Sequence, residues 1–105
     1  MIRGEVYRIR PPATRGRVQR GARYGVIVHA DQLLGLSTVI VAPTSPSAAA
    51  ATFRPQIELG GENTRVLVEQ IRAVDIERLD SLAGRLTASE QRAIDEALAL
   101  ILDLA

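Results

Sequence analysis

Two short runs decide the fold of this chain: RYGVIVH at residues 23–29 and TVIVAP at residues 38–43. Both are rich in β-branched residues and nearly continuous in apolar side chains, which is typical of strands near the middle of a sheet. Residues 31–36 connect the two runs. We therefore predict two core strands joined by a short connection.

A further strand is predicted before these runs. Residues 4–10 (GEVYRIR) alternate between apolar and polar side chains and end at Pro11 and Pro12, which indicates a half-buried strand. Residues 13–21 follow with two glycines, three arginines and no apolar period. This composition predicts an exposed connection between strands that closes over a ligand.

The second half of the chain predicts shorter elements and one clear helix. The shorter elements are a strand at 53–59 interrupted by Pro55, a turn at 60–63, a strand region at 64–74 and a short helix at 76–79. Thr87 and Glu90 have the spacing of a capping box at the start of the last helix. One face of that helix is apolar and is expected to be buried, at Ile94, Ala97, Leu98, Ile101 and Leu104. The fold class predicted is mainly β with α, a strongly bent antiparallel sheet with a terminal helix.

Length and composition narrow the class of protein. A chain of 105 residues with 47% apolar and 24% charged residues predicts one globular domain over residues 1–105. The absence of cysteine excludes disulfides, thiolate metal sites and cysteine nucleophiles, and it fits a reducing cytoplasm. No run approaches the roughly 20 apolar residues that span a bilayer, and no signal peptide is evident. We therefore expect a cytoplasmic protein with no membrane partner.

Charge is distributed unevenly along the chain. Residues 1–54 carry eight arginines against two acids, a net charge of +6, whereas residues 55–105 carry five arginines against ten acids, a net charge of −5. All thirteen basic residues are arginine, and six of them fall within residues 8–23. Such density suits bidentate contacts to phosphate, although a solvated surface loop would look the same.

Four segments, in the right order, resemble the MazF/PemK family of toxins. They are residues 2–7 (IRGEVY), 16–24 (GRVQRGARY), 39–45 (VIVAPTS) and 68–75 (VEQIRAVD). The ending, GRLT at residues 84–87 before the amphipathic helix, resembles the same family, so the likeness covers most of the chain.

The resemblance implies an SH3-like, barrel-like sheet with a C-terminal helix. It also implies a homodimer that binds single-stranded RNA between its protomers, and a cognate acidic antitoxin that competes for the same groove. The implied activity is that of an endoribonuclease toxin that cuts messenger RNA to 2′,3′-cyclic phosphate and 5′-hydroxyl ends. An RNA substrate and an acidic antitoxin would both be attracted by the arginine-rich first half.

The family's loop pattern assigns a catalytic arginine to Arg23. Gln19, Gly21 and Arg23 match that pattern, whereas Val18 and Tyr24 depart from it. Cleavage by the 2′-hydroxyl without metal requires stabilisation of a negatively charged phosphorane, and a guanidinium can meet two of its oxygens at once. The alternative is that Arg23 is an ordinary surface residue. The residues expected to bind RNA are Arg15, Arg17, Gln19, Arg20, Tyr24 and Gln70.

Two neighbouring hydroxyls compete for the family's catalytic threonine position. Ser45 falls on that position, and a shift of one residue would place Thr44 there. A hydroxyl at this point would bind the scissile phosphate or orient the 2′-hydroxyl, and serine keeps the donor while losing the methyl group that stiffens threonine. The alternative is an ordinary turn at the end of a strand.

Glu69 matches an acidic residue of the family. Alternation in a strand would place it on the same face as Leu67 and Ile71, and apolar neighbours would raise its pKa towards the range useful for proton transfer. The alternative is a structural glutamate bonded to backbone or to an arginine. Gln70 either reads a base edge or holds Glu69.

Other nuclease chemistries find no support in the sequence. The lone histidine, His29, lies six residues past Arg23, roughly 20 Å along an extended strand, so the two are not expected to act on one phosphate. No residues have metal-ligand spacing, and we expect neither a metal nor a cofactor. The competing hypotheses are a non-catalytic member of the same fold, directed at gyrase or sequestering an antitoxin, and a small β-domain that only dimerises.

Overall fold

A computed structural model of the chain describes residues 1–11 and 23–104. Within these ranges the chain forms seven strands, a C-terminal helix and short 3₁₀ turns. The strands are β1 (Glu5–Ile9), β2 (Tyr24–Ile27), β3 (Thr38–Ser45), β4 (Gln56–Leu59), β5 (Glu62–Val66), β6 (Arg72–Asp75) and β7 (Leu79–Arg85), and the helix is α1 (Ala88–Leu102).

The two apolar runs form the centre of the sheet, as the sequence predicts. The strand order is β4-β5-β3-β2-β1-β7, and every paired neighbour is antiparallel. β3 pairs with β2 along one edge, and along the other it pairs first with β6 and then with β5. Fully buried side chains on β2 and β3 include Val26, Ile27, Val39, Val41 and Ala42.

The sheet is bent until its two ends approach each other. Leu59 at the end of β4 reaches β7, where a Cβ atom added at Gly84 would lie 3.0 Å from Leu59 Cδ1. A larger residue at position 84 would therefore require the Leu59 side chain to shift by a few tenths of an ångström. The bend encloses one core between the sheet and α1, and a second cluster lies on the opposite face around Ile27 and Val41. The predicted mainly β, barrel-like fold with a terminal helix is confirmed.

α1 begins with the predicted capping box. Thr87 Oγ1 accepts a hydrogen bond from Glu90 N at 3.1 Å, and Glu90 Oε1 accepts one from Thr87 N at 2.9 Å. Glu90 Oε2 also accepts a hydrogen bond from Glu58 N on β4, the terminal strand in the sheet order, at 2.9 Å. One carboxylate therefore caps the helix and ties it to that strand.

The apolar stripe of α1 is buried only in part. Ile94 and Ala97 lie in the core, but Ile101 is 36% exposed and Leu104 is 63% exposed. The expectation that the whole stripe is buried is wrong. The helix ends at Leu102, Asp103 adopts a left-handed conformation (φ 57°), and Leu104 follows the turn outside the helix. The last turn therefore extends beyond the surface that the sheet offers.

The second half of the sheet differs from the prediction at three places. The predicted strand region at 64–74 is two strands separated by the 3₁₀ turn Val68–Gln70, because Leu67 N donates to Pro43 O and Gln70 N donates to Leu67 O. β7 was not predicted, since its sequence LDSLAGR has neither β-branched residues nor a regular alternation. The predicted helix at 76–79 is a 3₁₀ turn, Ile76–Arg78.

β4 and β5 form a tight hairpin. β4 begins directly after Pro55, whose nitrogen cannot donate to a neighbouring strand. Gly60 and Gly61 connect the strands with φ angles of 62° and 84°, a conformation that glycine adopts without strain. The turn predicted at 60–63 is therefore the two-residue connection of this hairpin.

No helix among the described residues is long and apolar enough to cross a membrane.

Candidate functional site

The register of β2 and β3 brings four of the predicted site residues to one end of the sheet. The paired positions are Ile27 with Val41, Val26 with Ala42 and Gly25 with Pro43. Continued by two positions, this register aligns Tyr24 with Thr44 and Arg23 with Ser45. Thr44 Oγ1 lies 3.5 Å from Tyr24 O, which agrees with the alignment.

Arg23 and Ser45 belong to one face of the sheet, and Tyr24 and Thr44 belong to the other. Directly opposed residues of an antiparallel pair project to the same face, and successive residues along a strand alternate. Arg23 is exposed at the entrance to β2, and its backbone carbonyl accepts a hydrogen bond from Ile9 N at 2.8 Å. An exposed guanidinium and a hydroxyl therefore share one face at the strand ends.

Ser45 also has a cationic neighbour on its other side. It pairs with Arg65 of β5, whose Nη1 donates to Arg54 O at 2.9 Å. Ser45 Oγ lies 3.4 Å from Ser47 Oγ, so the hydroxyl makes a weak contact with a second hydroxyl. Ser45 is thus paired with Arg65 on β5, and the continued register of β2 and β3 places Arg23, the residue before β2, on its other side.

Glu69 does not lie on a strand, and its environment is not apolar. It occupies the 3₁₀ turn Val68–Gln70, so the predicted alternation with Leu67 and Ile71 is wrong. Its Oε2 accepts hydrogen bonds from Arg54 Nη2 at 2.6 Å and from Arg54 Nε at 3.0 Å. These bonds from Arg54 lower the pKa of Glu69 and outweigh burial, which acts to raise it. The expected raised pKa is therefore corrected, and the alternative of a glutamate bonded to an arginine is the one observed.

Arg54 is the site residue that the sequence did not reveal. Besides Glu69, it donates from Nη1 to Ala49 O at 3.1 Å, and its guanidinium lies 5.6 Å from the centre of the Phe53 ring. The available signal was that Arg54 is the only arginine between Tyr24 and Thr64. Gln70 follows Glu69 in the same turn and is exposed. Its Nε2 lies 3.4 Å from Glu69 Oε2.

His29 has a structural environment away from Arg23. Ile40 N donates to His29 Nδ1 at 3.1 Å, and Nε2 lies 3.0 Å from Leu33 O. These contacts hold the ring against the connection between β2 and β3, beyond the end of β2 opposite Arg23. The expectation that His29 and Arg23 do not act on one phosphate agrees with this placement.

The remaining predicted loop residues, Arg15, Arg17, Gln19 and Arg20, lie outside the described residues. Within residues 1–11 and 23–104, no group of three or more His, Cys, Asp or Glu side chains is placed to hold a metal ion. The described part of the site is therefore built from arginines, hydroxyls, one carboxylate and one amide.

Comparison with known proteins gives consistent matches over most of the chain. A family model for "PemK-like, MazF-like toxin of type II toxin-antitoxin system" matches residues 2–102. Over 77 residues the chain is 48% identical to the putative toxin Rv3098A/RVBD_3098A of Mycobacterium tuberculosis, covering 72% of each protein. Over 116 residues it is 34% identical to Endoribonuclease MazF9 of the same organism, covering 99% of this chain and 98% of that protein.

Solved structures give the same fold at lower identity. The Mycobacterium tuberculosis toxin MazF-mt6 superposes with a TM-score of 0.79 at 18% identity, covering 96% of this chain and 98% of that one. An endoribonuclease in complex with its cognate antitoxin, from a mycobacterial species, superposes with a TM-score of 0.81 at 20% identity, covering 100% and 97%.

Proposed function

Because the chain belongs to the family of PemK-like, MazF-like toxins of type II toxin-antitoxin systems, we propose that it is an endoribonuclease that cleaves single-stranded RNA at selected sequences. Its substrate is messenger RNA in the cytoplasm, and its effect is to stop translation and growth. The relative named Endoribonuclease MazF9, which this chain matches over 99% of its length, supports this activity. The single observation in the structure that carries the proposal is the register of β2 and β3, which, continued by two positions beyond Gly25 and Pro43, aligns Arg23 with Ser45.

The reaction is a transesterification that needs no metal. The 2′-hydroxyl loses its proton as its oxygen attacks the adjacent phosphorus, and the 5′-oxygen takes up a proton as its bond to phosphorus breaks. The products therefore carry a 2′,3′-cyclic phosphate and a 5′-hydroxyl. Negative charge grows on the phosphoryl oxygens in the transition state. We assign its stabilisation to the guanidinium of Arg23, because a planar fork meets two oxygens and its charge is permanent. The same permanence makes Arg23 a poor general base.

Ser45 is the better of the two hydroxyl candidates. It is aligned with Arg23 and paired with Arg65, so a phosphate held by Arg23 lies on the face from which the Ser45 hydroxyl projects. Thr44 is aligned with Tyr24 on the opposite face. We therefore assign the hydrogen bond to the scissile phosphate, or to the 2′-hydroxyl, to Ser45.

Glu69 holds the 3₁₀ turn Val68–Gln70 in place and does not donate a proton. Its lowered pKa keeps the carboxylate ionised near neutral pH, and both of its bonds from Arg54 go to Oε2. The pair fixes the 3₁₀ turn that carries Gln70, whose exposed amide then faces solvent. Gln70 is assigned to RNA binding, together with Tyr24 and the loop residues Arg15, Arg17, Gln19 and Arg20.

The proposed assembly is a homodimer, which an acidic antitoxin inhibits. Its basis in this chain is a largely apolar groove of about 330 Å³, in which Ile40, Ile71, Leu98, Leu102 and Leu104 line the wall beside the Arg3–Asp95 ion pair. Leu102 is 48% exposed and Leu104 is 63% exposed, an arrangement more typical of an interface than of a monomer surface. We assign this groove to a second copy of the chain.

The decisive experiment is to incubate the purified protein with a long unstructured RNA in the presence of EDTA and to map both ends of every fragment. Cleavage at a limited set of sites, with cyclic phosphate and 5′-hydroxyl ends, is the expected result. Arg23→Ala protein, prepared identically, excludes a contaminating nuclease. Intact RNA after incubation with folded wild-type protein would favour a non-catalytic member of the fold.

A further inference from the structure

A cleft of about 330 Å³ opens where the ends of β2 and β3 meet the β4–β5 hairpin and β7. Tyr24 and Thr44 line it from the strand ends, Leu59 and Asn63 from the hairpin, and Ala83 from β7. It lies on the face opposite Arg23 and Ser45, and it begins at the residue next to each of them. Neither Leu59 nor Asn63, which line the cleft from the hairpin, has a part in the proposed cleavage reaction.

The lining combines an aromatic wall with unsatisfied polar groups. Tyr24 is half-buried because it packs against the core, which fixes its position. The Asn63 amide is exposed and makes no side-chain hydrogen bond within the described residues, so its donors and acceptor are available. Thr64 is only 6% exposed, and its Oγ1 finds no partner in the part of the chain that the structure describes. A buried hydroxyl without a partner is costly, which points to a ligand that supplies one.

The charge of the cleft identifies the part of an RNA that fits it. No arginine is among the described residues that line it, and Glu62 adds a carboxylate at its rim. A phosphate or an acidic peptide would therefore be repelled. A neutral, flat group with hydrogen-bonding edges would instead pack on Tyr24 and meet the Asn63 amide, as bases splayed from single-stranded RNA do in proteins.

We propose that this cleft binds one nucleobase of the RNA, from a nucleotide adjacent to the cleaved phosphate, and that Asn63 reads its edge. The inference rests on the proposed function, because it takes the Arg23 and Ser45 face as the place of the phosphate. Consecutive residues of a strand are only about 3.8 Å apart at Cα, so an RNA crossing the strand ends can place its phosphate on one face and a neighbouring base in the cleft on the other. Asn63 is then a specificity-determining residue.

The test uses two variants of the cleft and one matched control. Asn63→Ala removes the amide, and Ala83→Leu fills the cleft from an exposed position on β7. Gln32→Ala removes an exposed amide from the 3₁₀ turn Asp31–Leu33, which does not line the cleft. Circular dichroism and thermal melting establish that each variant is folded.

The first measurement is the affinity of each protein for four 2′-O-methyl octamers, one for each base, by fluorescence anisotropy. These RNAs lack the attacking hydroxyl and cannot be cut, so the measurement does not depend on activity. The wild type and Gln32→Ala are expected to prefer one base, and Asn63→Ala to lower that preference roughly tenfold, the scale of a lost amide-to-base contact. Ala83→Leu is expected to weaken binding of the preferred octamer by a similar factor.

The second measurement maps cut sites in unmodified RNA, where Asn63→Ala should relax the preference at one position beside the cleaved bond. Equal wild-type affinity for the four octamers, or a preference that both cleft variants leave unchanged, overturns the inference. If the wild type cuts selectively and Asn63→Ala cuts with the same selectivity, the inference fails while the proposed function stands. If the wild type does not cut RNA but prefers one octamer, and if Asn63→Ala loses that preference while Ala83→Leu weakens binding, the proposed activity fails and the base site stands.

Discussion

Arg54 and Glu69 form an ion pair with two hydrogen bonds, in which Arg54 Nη2 and Nε lie 2.6 and 3.0 Å from Glu69 Oε2. Both side chains are about three-quarters buried, with 24% and 23% of their surfaces exposed. The pair connects the segment before β4 to the 3₁₀ turn that carries Gln70. The geometry of that turn therefore depends on a residue fifteen positions away.

Loss of Arg54 should destabilise the protein in a pH-dependent manner. In Arg54→Ala the Glu69 carboxylate loses its partner, so we expect the free energy of unfolding at pH 7 to fall by about 1–3 kcal/mol. The folded-state pKa of Glu69 is lowered, so the stability it contributes is present above the unfolded pKa and is lost as pH falls through the folded pKa. Urea unfolding at several pH values should show the difference between wild type and variant shrinking below about pH 4.

The double variant Arg54→Ala/Glu69→Gln provides the control. It removes the unpaired charge together with the pair, so at pH 7 it should recover part of the stability that Arg54→Ala loses. A difference between wild type and Arg54→Ala that stays constant from pH 7 to pH 3 would contradict the assignment of the pair to an ionised Glu69.

The apolar groove beside α1 predicts a dimer that one charge can disrupt. Leu102→Glu places a carboxylate among Ile40, Leu98 and Leu104 in the proposed contact. Light scattering at micromolar concentration should show wild-type dimer and monomeric variant, because an unpaired charge is poorly tolerated at the centre of an interface. Leu82→Glu is the matched control, since Leu82 is 47% exposed and Leu102 is 48% exposed, but Leu82 does not line the groove.

A monomeric wild type of about 11 kDa at every concentration would refute the dimer itself. If the Leu102→Glu protein remains dimeric, the dimer contact lies on another face of the molecule and the groove has no assigned partner.

The sequence predicts best those features that depend on neighbouring residues. Val26, Ile27, Val39 and Val41 are core residues because their runs are apolar on both faces, and the capping box needs only Thr87 and Glu90. The family resemblance locates Arg23 and Ser45 along the chain. It does not place them on one face, since that depends on the register between β2 and β3.

Features that depend on distant partners were missed or misinterpreted. β7 has no strand signal of its own and is held by pairing with β1. Glu69 was expected to have apolar neighbours because Leu67 and Ile71 surround it in sequence, yet its environment is determined by Arg54. The 3₁₀ turn that displaces it depends in turn on the bond from Leu67 N to Pro43 O, which no local pattern encodes.

The two hydroxyls at the end of β3 should differ in their effect on catalysis. Ser45→Ala should lower the rate of the chemical step by roughly 10- to 100-fold, because it removes a donor on the Arg23 face. Thr44→Val preserves shape while removing a hydroxyl on the other face, and its effect should appear mainly in RNA affinity. Single-turnover cleavage at saturating protein separates the two quantities. A larger rate loss in Thr44→Val would assign the catalytic hydroxyl to Thr44. An equal rate loss in both variants would contradict the assignment to Ser45 alone.

Arg23 provides the sharpest test of the mechanism. If its guanidinium meets charge that develops only in the transition state, Arg23→Ala should lower the cleavage rate by roughly 10²- to 10³-fold while weakening RNA binding much less. Arg23→Lys should restore little, because a point charge cannot reproduce the planar fork. Arg17→Ala and Arg20→Ala should instead act through affinity, each reducing the slope of binding against salt concentration by about one counterion.

Stability distinguishes a catalytic Arg23 from a structural one. Arg23 is exposed at the entrance to β2, and its bond to Ile9 is made by the backbone carbonyl, which alanine retains. Because Arg23 is exposed and lies outside the core, the free energy of unfolding should change by no more than about 1 kcal/mol in Arg23→Ala. Cleavage at a near wild-type rate by the folded Arg23→Ala protein would show that the catalytic charge lies elsewhere. Arg65, which pairs with Ser45 from the other side, would then be the next residue to substitute.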